Sequence, residues 1–243
     1  MQPRQRADLL LVERGLFESR ARAQAAIAAG QVTVDGRTVA KPSEMIPLQA
    51  ELAATPAHPW VSRGGVKLAG ALERYPMAID GHVCLDVGAS TGGFTEVLLA
   101  RGARRVHAVD VGHGQLHARL RDDPRVDGRE HTDIRTLTAN DFAEQPDIVV
   151  IDASFISLRL VLPPALAIAA RPASLLALIK PQFEAERRHS KKGIVRDSAV
   201  HAAVCDDITA FVRTHGGHDI AVFPSSIAGG DGNVEFFIGA RFG

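Results

Sequence analysis

"CLDVGASTGGFTEVLLARGARRVHAVDVGHGQL", residues 84–116, holds a strand pattern, a glycine-rich turn, a helix pattern and a second strand pattern that ends on an acid. In a doubly wound sheet this order places a ligand beyond the carboxyl end of the first strand. There the turn lets backbone approach the ligand, and an acid about 20 residues on accepts from ribose hydroxyls. Gly88 opens the turn and Asp110 follows it by 22 residues. The turn reads Gly88-Ala89-Ser90-Thr91-Gly92-Gly93, so Ser90 stands where G-x-G-x-x-G has its second glycine. That glycine admits the pyrophosphate of a dinucleotide. A serine suits a nucleoside cofactor without pyrophosphate, of which S-adenosylmethionine is the common one. The alternative is that the glycines serve the turn alone.

The surroundings support an α/β domain. "HVCLDVG", "RRVHAVDV", "PDIVVIDA" and "SLLALIKP" are short runs rich in Val, Ile and Leu separated by helical patterns, as a largely parallel sheet buried on both faces requires. "DIAVFPSS" and "VEFFIGARF" are separated by a stretch too short for a crossover helix, and this predicts an antiparallel pair closing the sheet. Asp133 follows a third short segment, where it could accept from an adenine amino group, and Asp152 ends the fourth strand. Lys67 lies before the first strand, Lys180 after the fifth and Glu235 on the last. Lysines at strand ends are uncommon in buried positions. The four residues read either as one cluster, in which a lysine amine could take a proton from a hydroxyl, or as two separate salt bridges.

Composition bounds the rest. The chain has 243 residues, 28 Lys and Arg against 28 Asp and Glu, and two cysteines. It is long enough for one full core and a small satellite domain. Cys84 and Cys205 form neither a disulfide framework nor a zinc spacing, which points to a reducing cytoplasm. No apolar run reaches the length of a membrane helix, and the N-terminus lacks a signal-peptide pattern. His113 and His117 stand four apart on a possible helix, but no third ligand accompanies them, so no metal is expected. A monomer is the expected state.

Net charge is zero overall, so any nucleic-acid footprint must be local. Residues 1–41 carry seven Lys or Arg against four Asp or Glu. Two short helices are predicted there, the second capped by Ser19 and ended at Gly30. A hairpin follows around Asp35-Gly36. Arg20 and Arg22 in a helix's first turn oppose its dipole and invite a phosphate partner, unless they are merely solvated. Residues 42–61, with Pro42, Pro47, Pro56 and Pro59, read as a linker.

"SRARAQAAIAAGQVTVDG" resembles a small helix-helix-hairpin RNA-binding module shared by a ribosomal protein and several RNA-modifying enzymes. With it, "WVSRGGVKLAGAL", "DVGASTGGFTEVLL", "AVDVGHGQL", "DASFISLRLVLP", "LIKPQFEA", "GIVRD" and "DGNVEFF" together resemble the TlyA family along essentially the whole chain. Those proteins join that module to an FtsJ-like methyltransferase domain and often carry the name hemolysin. The resemblance implies an RNA-binding module and linker over residues 1–60 and a Rossmann-like methyltransferase domain over residues 61–243. It further implies methyl transfer from S-adenosylmethionine to ribose 2′-hydroxyls of ribosomal RNA or ribosomal subunits. The family's Lys-Asp-Lys-Glu tetrad falls on Lys67, Asp152, Lys180 and Glu235. Its cofactor residues fall on Asp86, Gly88, Ser90, Gly92, Gly93, Phe94, Asp110, Val111, Asp133 and Ile134. Many relatives have Asn where Asp133 stands, but an acid can accept the same bond. RNA contacts are expected from Arg20, Arg22, Arg37 and Arg63, and from Arg187, Arg188, Lys191, Lys192 and Arg196 in a mobile, phosphate-tracking loop. The rival readings are a non-enzymatic RNA-binding or ribosome-assembly protein and a pore-forming hemolysin.

Overall fold

The computed structural model describes residues 3–190 and 192–243; Lys191 lies outside the described residues, as does the side chain of Arg187. The chain divides into two compact units, Met1–Pro59 and Trp60–Gly243.

The first unit packs helices Ala7–Glu13 and Arg20–Ala28 on short strands. Ser19 caps the second helix as its sequence position predicts, its hydroxyl accepting from the Arg22 N–H. Strands Val32–Val34 and Arg37–Thr38 are joined through Asp35 and Gly36, at φ 49° and 78°. These are the paired left-handed residues a two-residue hairpin turn demands. The stretch 42–61, read as a linker, instead contributes two strands. Met45–Pro47 pairs with Arg4–Arg6, and Leu52–Ala54 pairs with Val32–Val34. Proline misleads here because these are short, peripheral strands, in which a missing N–H costs little.

Asp8, fully buried, organises this unit. It accepts from Arg6 Nε and Nη2 at 3.0 Å, Gln24 Nε2 at 2.8 Å and Arg20 Nη2 at 3.0 Å. The bonds from Arg6 hold its carboxyl well below the usual carboxylate range, against the upward pull of burial.

The second unit is built on one seven-stranded sheet. Its strands are β1 (Val83–Val87), β2 (Arg105–Val109), β3 (Val126–Arg129), β4 (Ile148–Ile151), β5 (Ala173–Ile179), β6 (His218–Pro224) and β7 (Phe236–Phe242). Their spatial order is β6-β7-β5-β4-β1-β2-β3. The pairs β4/β5, β1/β4, β1/β2 and β2/β3 are parallel, whereas β7 runs antiparallel to both β5 and β6. The sheet is therefore mostly parallel with an antiparallel C-terminal pair. Two apolar clusters cover its faces, one including Leu85, Val149 and Leu175 and the other Cys84, Val150 and Leu176. That successive residues of one strand enter opposite clusters is why these strands read as unbroken apolar runs.

Asp86 is the exception inside β1. It has no exposure, one oxygen takes a 2.7 Å bond from Thr95 Oγ1, and Oδ1 has no partner. Burial pushes its carboxyl up to about 7, the neighbouring acids Asp152 and Asp110 add to the rise, and the Thr95 bond opposes it.

An acid whose folded pKa exceeds its unfolded value stabilises the fold at low pH, and that stabilisation is lost as pH rises toward the folded pKa. Asp86→Asn cannot ionise and keeps an acceptor for Thr95. Its stability relative to the parent chain, measured by urea denaturation, should therefore rise between about pH 4 and about pH 7, by up to the order of 4 kcal/mol. A difference that stays flat across that window would mean that Asp86 is charged in the folded chain.

Candidate active site

Asp86, Asp110, Asp133 and Asp152 lie in the second unit at or near the carboxyl ends of the parallel strands, where an open α/β sheet receives ligands. The first turn leaves β1 at Gly88, with φ +85°. A Cβ at this position would sit 2.8 Å from the Asp152 carbonyl oxygen. Glycine is thus required both by conformation and by the closeness of the β4 exit. Ser90 is also left-handed, at φ 47°. Its N–H donates to Asp110 Oδ2 at 2.8 Å, and the Gly112 N–H donates to Asp110 Oδ1 at 2.6 Å. Asp110 therefore ties together the turns after β1 and β2. Two carboxylate oxygens offer about four acceptor positions, so capacity remains for a ligand.

These turns wall a cleft of about 590 Å³. Gly88, Ser90, Asp110, Val111, Asp133, Ile134 and Asp152 line it, together with Ser154 and Phe155. Val111 is 69% exposed, a large apolar side chain offered to the cleft. Asp133 caps the short 3-10 turn Ile134–Thr136 and is paired with Arg135 at 2.6 Å. Bonds from Arg135 hold the Asp133 carboxyl below its ordinary range, so it faces the cleft as an ionised acceptor.

Four expected cofactor contacts do not line this cleft. Asp86 is sealed within β1, and Phe94, 3% exposed, stacks on Phe237 in the core. Gly92 is closely packed by Leu116 and Leu120, and a Cβ on Gly93 would lie 2.2 Å from Ser62 Oγ and 2.8 Å from the Gly65 nitrogen. These four support the turn from behind. A motif lists residues that must be small or buried for the turn to form beside those that touch the ligand, and spacing alone does not separate the two groups.

The expected tetrad is resolved into two ion pairs. Lys180 Nζ lies 2.6 Å from Asp152 Oδ1, and Lys67 Nζ donates to Glu235 Oε2 at 2.6 Å. Lys67 projects from the helix Arg63–Arg74, and Glu235 immediately precedes β7. The register of β5 and β7 ends at Ile179 opposite Phe236, so Lys180 and Glu235 follow at adjoining strand ends. All three of Lys67, Lys180 and Glu235 are less than a tenth exposed. Removing one member of such a pair leaves its partner buried and uncompensated, which typically costs about 3–5 kcal/mol.

Several residues the sequence did not single out complete the arrangement. Ser154 Oγ accepts from Lys180 Nζ at 2.7 Å. Phe155 is 90% exposed with φ +64°, and its ring lies 5.1 Å from that of Phe183. Glu184 accepts from Ser157 Oγ at 2.6 Å and from the Leu158 N–H at 2.7 Å, locking the turn after β4 to the turn after β5. Asn233, 2% exposed, accepts from the Val195 N–H at 3.1 Å and donates to the Gly193 carbonyl at 2.9 Å. The loop expected to be mobile is thus pinned at two points, because a buried amide must satisfy both its donor and its acceptor. "DASF" carried the signal for Ser154, a small polar residue beside a strand-ending acid, and "DGN" that for Asn233, a polar residue just before the last strand.

Of the expected RNA contacts, Arg20 and Arg37 are engaged inside the first unit, with Asp8 and Glu44. The main-chain N–H of Arg22 donates to Ser19. In the second unit Arg63 donates to the Ala228 carbonyl at 2.6 Å, and Arg188 pairs with Glu186 at 3.0 Å. Lys192 and Arg196 are exposed. His113 and His117 do not share a helix; His113 instead lies beside His131, with ring centroids 6.4 Å apart. Among the described residues no three His, Cys, Asp or Glu side chains gather as a metal set, and no helix is long and apolar enough to cross a membrane.

Residues 60–242 match the FtsJ-like methyltransferase family and residues 5–52 match the S4 domain. The chain is 44% identical to the 16S/23S rRNA (cytidine-2'-O)-methyltransferase TlyA of Mycobacterium tuberculosis, over 99% of its own length and 91% of the relative's. It is 36% identical to a protein named Hemolysin A from Brachyspira hyodysenteriae, over 95% of this chain and 97% of that one. A solved structure of a hemolysin-named protein from Streptococcus thermophilus superposes with a TM-score of 0.78 at 41% identity, covering 100% of this chain and 90% of that one. From its matched domains and its identity along nearly the whole length of these relatives, the chain belongs to the TlyA family of FtsJ-like methyltransferases that carry an N-terminal S4 domain.

Proposed function

We propose that this methyltransferase uses S-adenosylmethionine to methylate ribose 2′-hydroxyls of ribosomal RNA. The observation that carries the reading is the Lys180–Asp152 pair, 2.6 Å apart beside a cleft whose wall includes Asp152. A base or hydroxyl-orienting group stands there next to a nucleoside-sized site.

The cleft fits the cofactor. Gly88 lets the chain turn sharply against the β4 exit at the cleft wall, Asp110 retains acceptor capacity for ribose hydroxyls, and the ionised Asp133 accepts from an amino group beside the apolar Val111 and Ile134. When bound, S-adenosylmethionine supplies an electrophilic methyl group on a sulfonium. The chain's own residues supply position and proton control. Asp152 and Lys180 hold the ribose hydroxyl, and Lys180 takes or shares its proton at O2′. Lys67 and Glu235 brace the neighbouring wall as a buried pair. Most of the rate acceleration then comes from alignment.

In this reading the S4 domain and the basic segment with Arg187, Arg188, Lys191, Lys192 and Arg196 bind the RNA. Phosphate contacts of this kind supply affinity and position rather than sequence discrimination. Arg20 and Arg37 already hold acids of their own unit, so the exposed Lys192 and Arg196 give up no internal partner that is seen for those two.

Asp110→Ala removes a charged acceptor and frees the Ser90 and Gly112 amides. Calorimetry should show S-adenosylmethionine binding weakened about tenfold to a hundredfold. Tight binding of NAD with no S-adenosylmethionine signal in the parent chain would overturn the cofactor assignment.

Lys180→Ala should leave cofactor affinity nearly unchanged and lower single-turnover methylation of ribosomal RNA by about 10² to 10⁴. Lys180→Arg separates two roles, since arginine keeps the charge but does not lose its proton. Near-complete loss assigns Lys180 to proton removal, and substantial retained activity assigns it to charge stabilisation. A Lys180→Ala enzyme working at the parental rate would remove Lys180 from the mechanism.

A further inference from the structure

The Lys180 ammonium has three N–H groups and, at 7% side-chain exposure, little water to satisfy them. Its neighbours are unequal. Asp152 Oδ1 approaches to 2.6 Å as an ion-pair partner but makes no aligned hydrogen bond. The Asp152 carbonyl accepts at 3.4 Å, which is a long contact. Ser154 Oγ accepts at 2.7 Å with good geometry. Among the described residues, the one short, directional bond on the amine therefore comes from a serine. A charge at close range attracts without choosing a direction, whereas a hydrogen bond fixes one.

The location of this bond gives it functional meaning. Asp152 and Ser154 line the cleft, whereas Lys180 itself is not part of the lining. Anything in the cleft that reaches the amine meets it between those two side chains. Ser154 is also held in place from both directions. On one side Asp152 follows β4, its N–H bonded to the Val87 carbonyl at 2.9 Å. On the other, the left-handed Phe155 turns the chain, and Glu184 clamps Ser157 and Leu158. A left-handed non-glycine residue persists only where its surroundings enforce it.

We propose that Ser154 is a positioning residue of the methyl-acceptor site: its hydroxyl holds one N–H of Lys180 at the cleft wall, so that the amine, while paired with Asp152, is aimed at the acceptor hydroxyl. The assignment rests on Lys180 as the group that meets the ribose hydroxyl, and it adds to that reading the residue that aims it. No atom of Ser154 is transferred. Its part is to accept the N–H bond and keep the amine turned.

The test compares Ser154→Thr, which keeps a hydroxyl, with Ser154→Val, which has the same shape without one. In the full chain at one fixed pH, acetylation of Lys180 by acetic anhydride is read by mass spectrometry against the exposed Lys192. Losing a hydrogen bond to the ammonium should make Lys180 in the Val variant react several-fold faster than in the Thr variant, with Thr within about twofold of the parent. Single-turnover methylation should fall about tenfold in Val and stay near the parental rate in Thr, with cofactor affinity equal in both. Equal labelling in the two variants, or equal single-turnover rates, would overturn the assignment. Cofactor affinity also reports folding, and if Val loses it, Ser154→Ala provides the same contrast with Thr. The labelling requires neither RNA nor cofactor. Failure of the methylation reading would appear separately, as a parent chain that transfers no methyl group.

Discussion

The close approach of Gly88 to the Asp152 carbonyl is the constraint on which the site depends. Parallel strands β1 and β4 are neighbours, and at their carboxyl ends the chain must both turn sharply after β1 and deliver an acid after β4. With no Cβ at residue 88, the two exits can lie against each other. Asp110 then reaches across from the end of β2 to hold the first turn by the Ser90 amide. The cleft and the Lys180–Asp152 pair are consequently parts of one strand-end surface. The geometry of one cannot be changed without disturbing the other, because a packed interior transmits displacement.

Much of this was legible before any coordinates. Strand-rich runs, the glycine turn, Asp110 and the Asp35-Gly36 hairpin each rest on a local rule, either a periodicity or a backbone conformation few residues tolerate. Ser19 as a cap belongs to the same class. What stayed hidden depends on partners far apart in sequence. Nothing near Lys67 announces that its carboxylate lies 168 residues away. Nothing near Arg20 announces that Asp8 claims it. Phe94 illustrates the reverse error: a residue within a ligand-binding motif whose task is to fill the core beneath it. The prolines of residues 42–61 misled for a related reason, since edge strands accept proline and a local scan cannot tell an edge from a linker.

The electrostatics follow a consistent division. At the surface of the strand ends, Asp133 is kept ionised by its bonds from Arg135. One layer below, burial and the two neighbouring acids Asp152 and Asp110 push the Asp86 carboxyl up to about 7, toward the neutral form, against the bonds from Thr95. A neutral group under the turn spares the site another negative charge next to Asp110 and Asp152. The lysines sit where charge is most expensive to bury, each matched to one acid, and the choice of partner decides which amine adjoins the cleft.

The antiparallel β7 lies between β5 and β6, so the strand that delivers Glu235 is inserted into the sheet instead of being added to its edge. A chain made from its N-terminus exposes Lys67 early and obtains the partner of that lysine only when β7 has been threaded into place. The cleft, whose walls all lie within residues 87–161, is encoded well before that moment. Nascent chains therefore pass through a stage at which the cleft residues have been synthesised while Lys67 still lacks its carboxylate. Insertion of that one strand then supplies the partner this buried lysine requires.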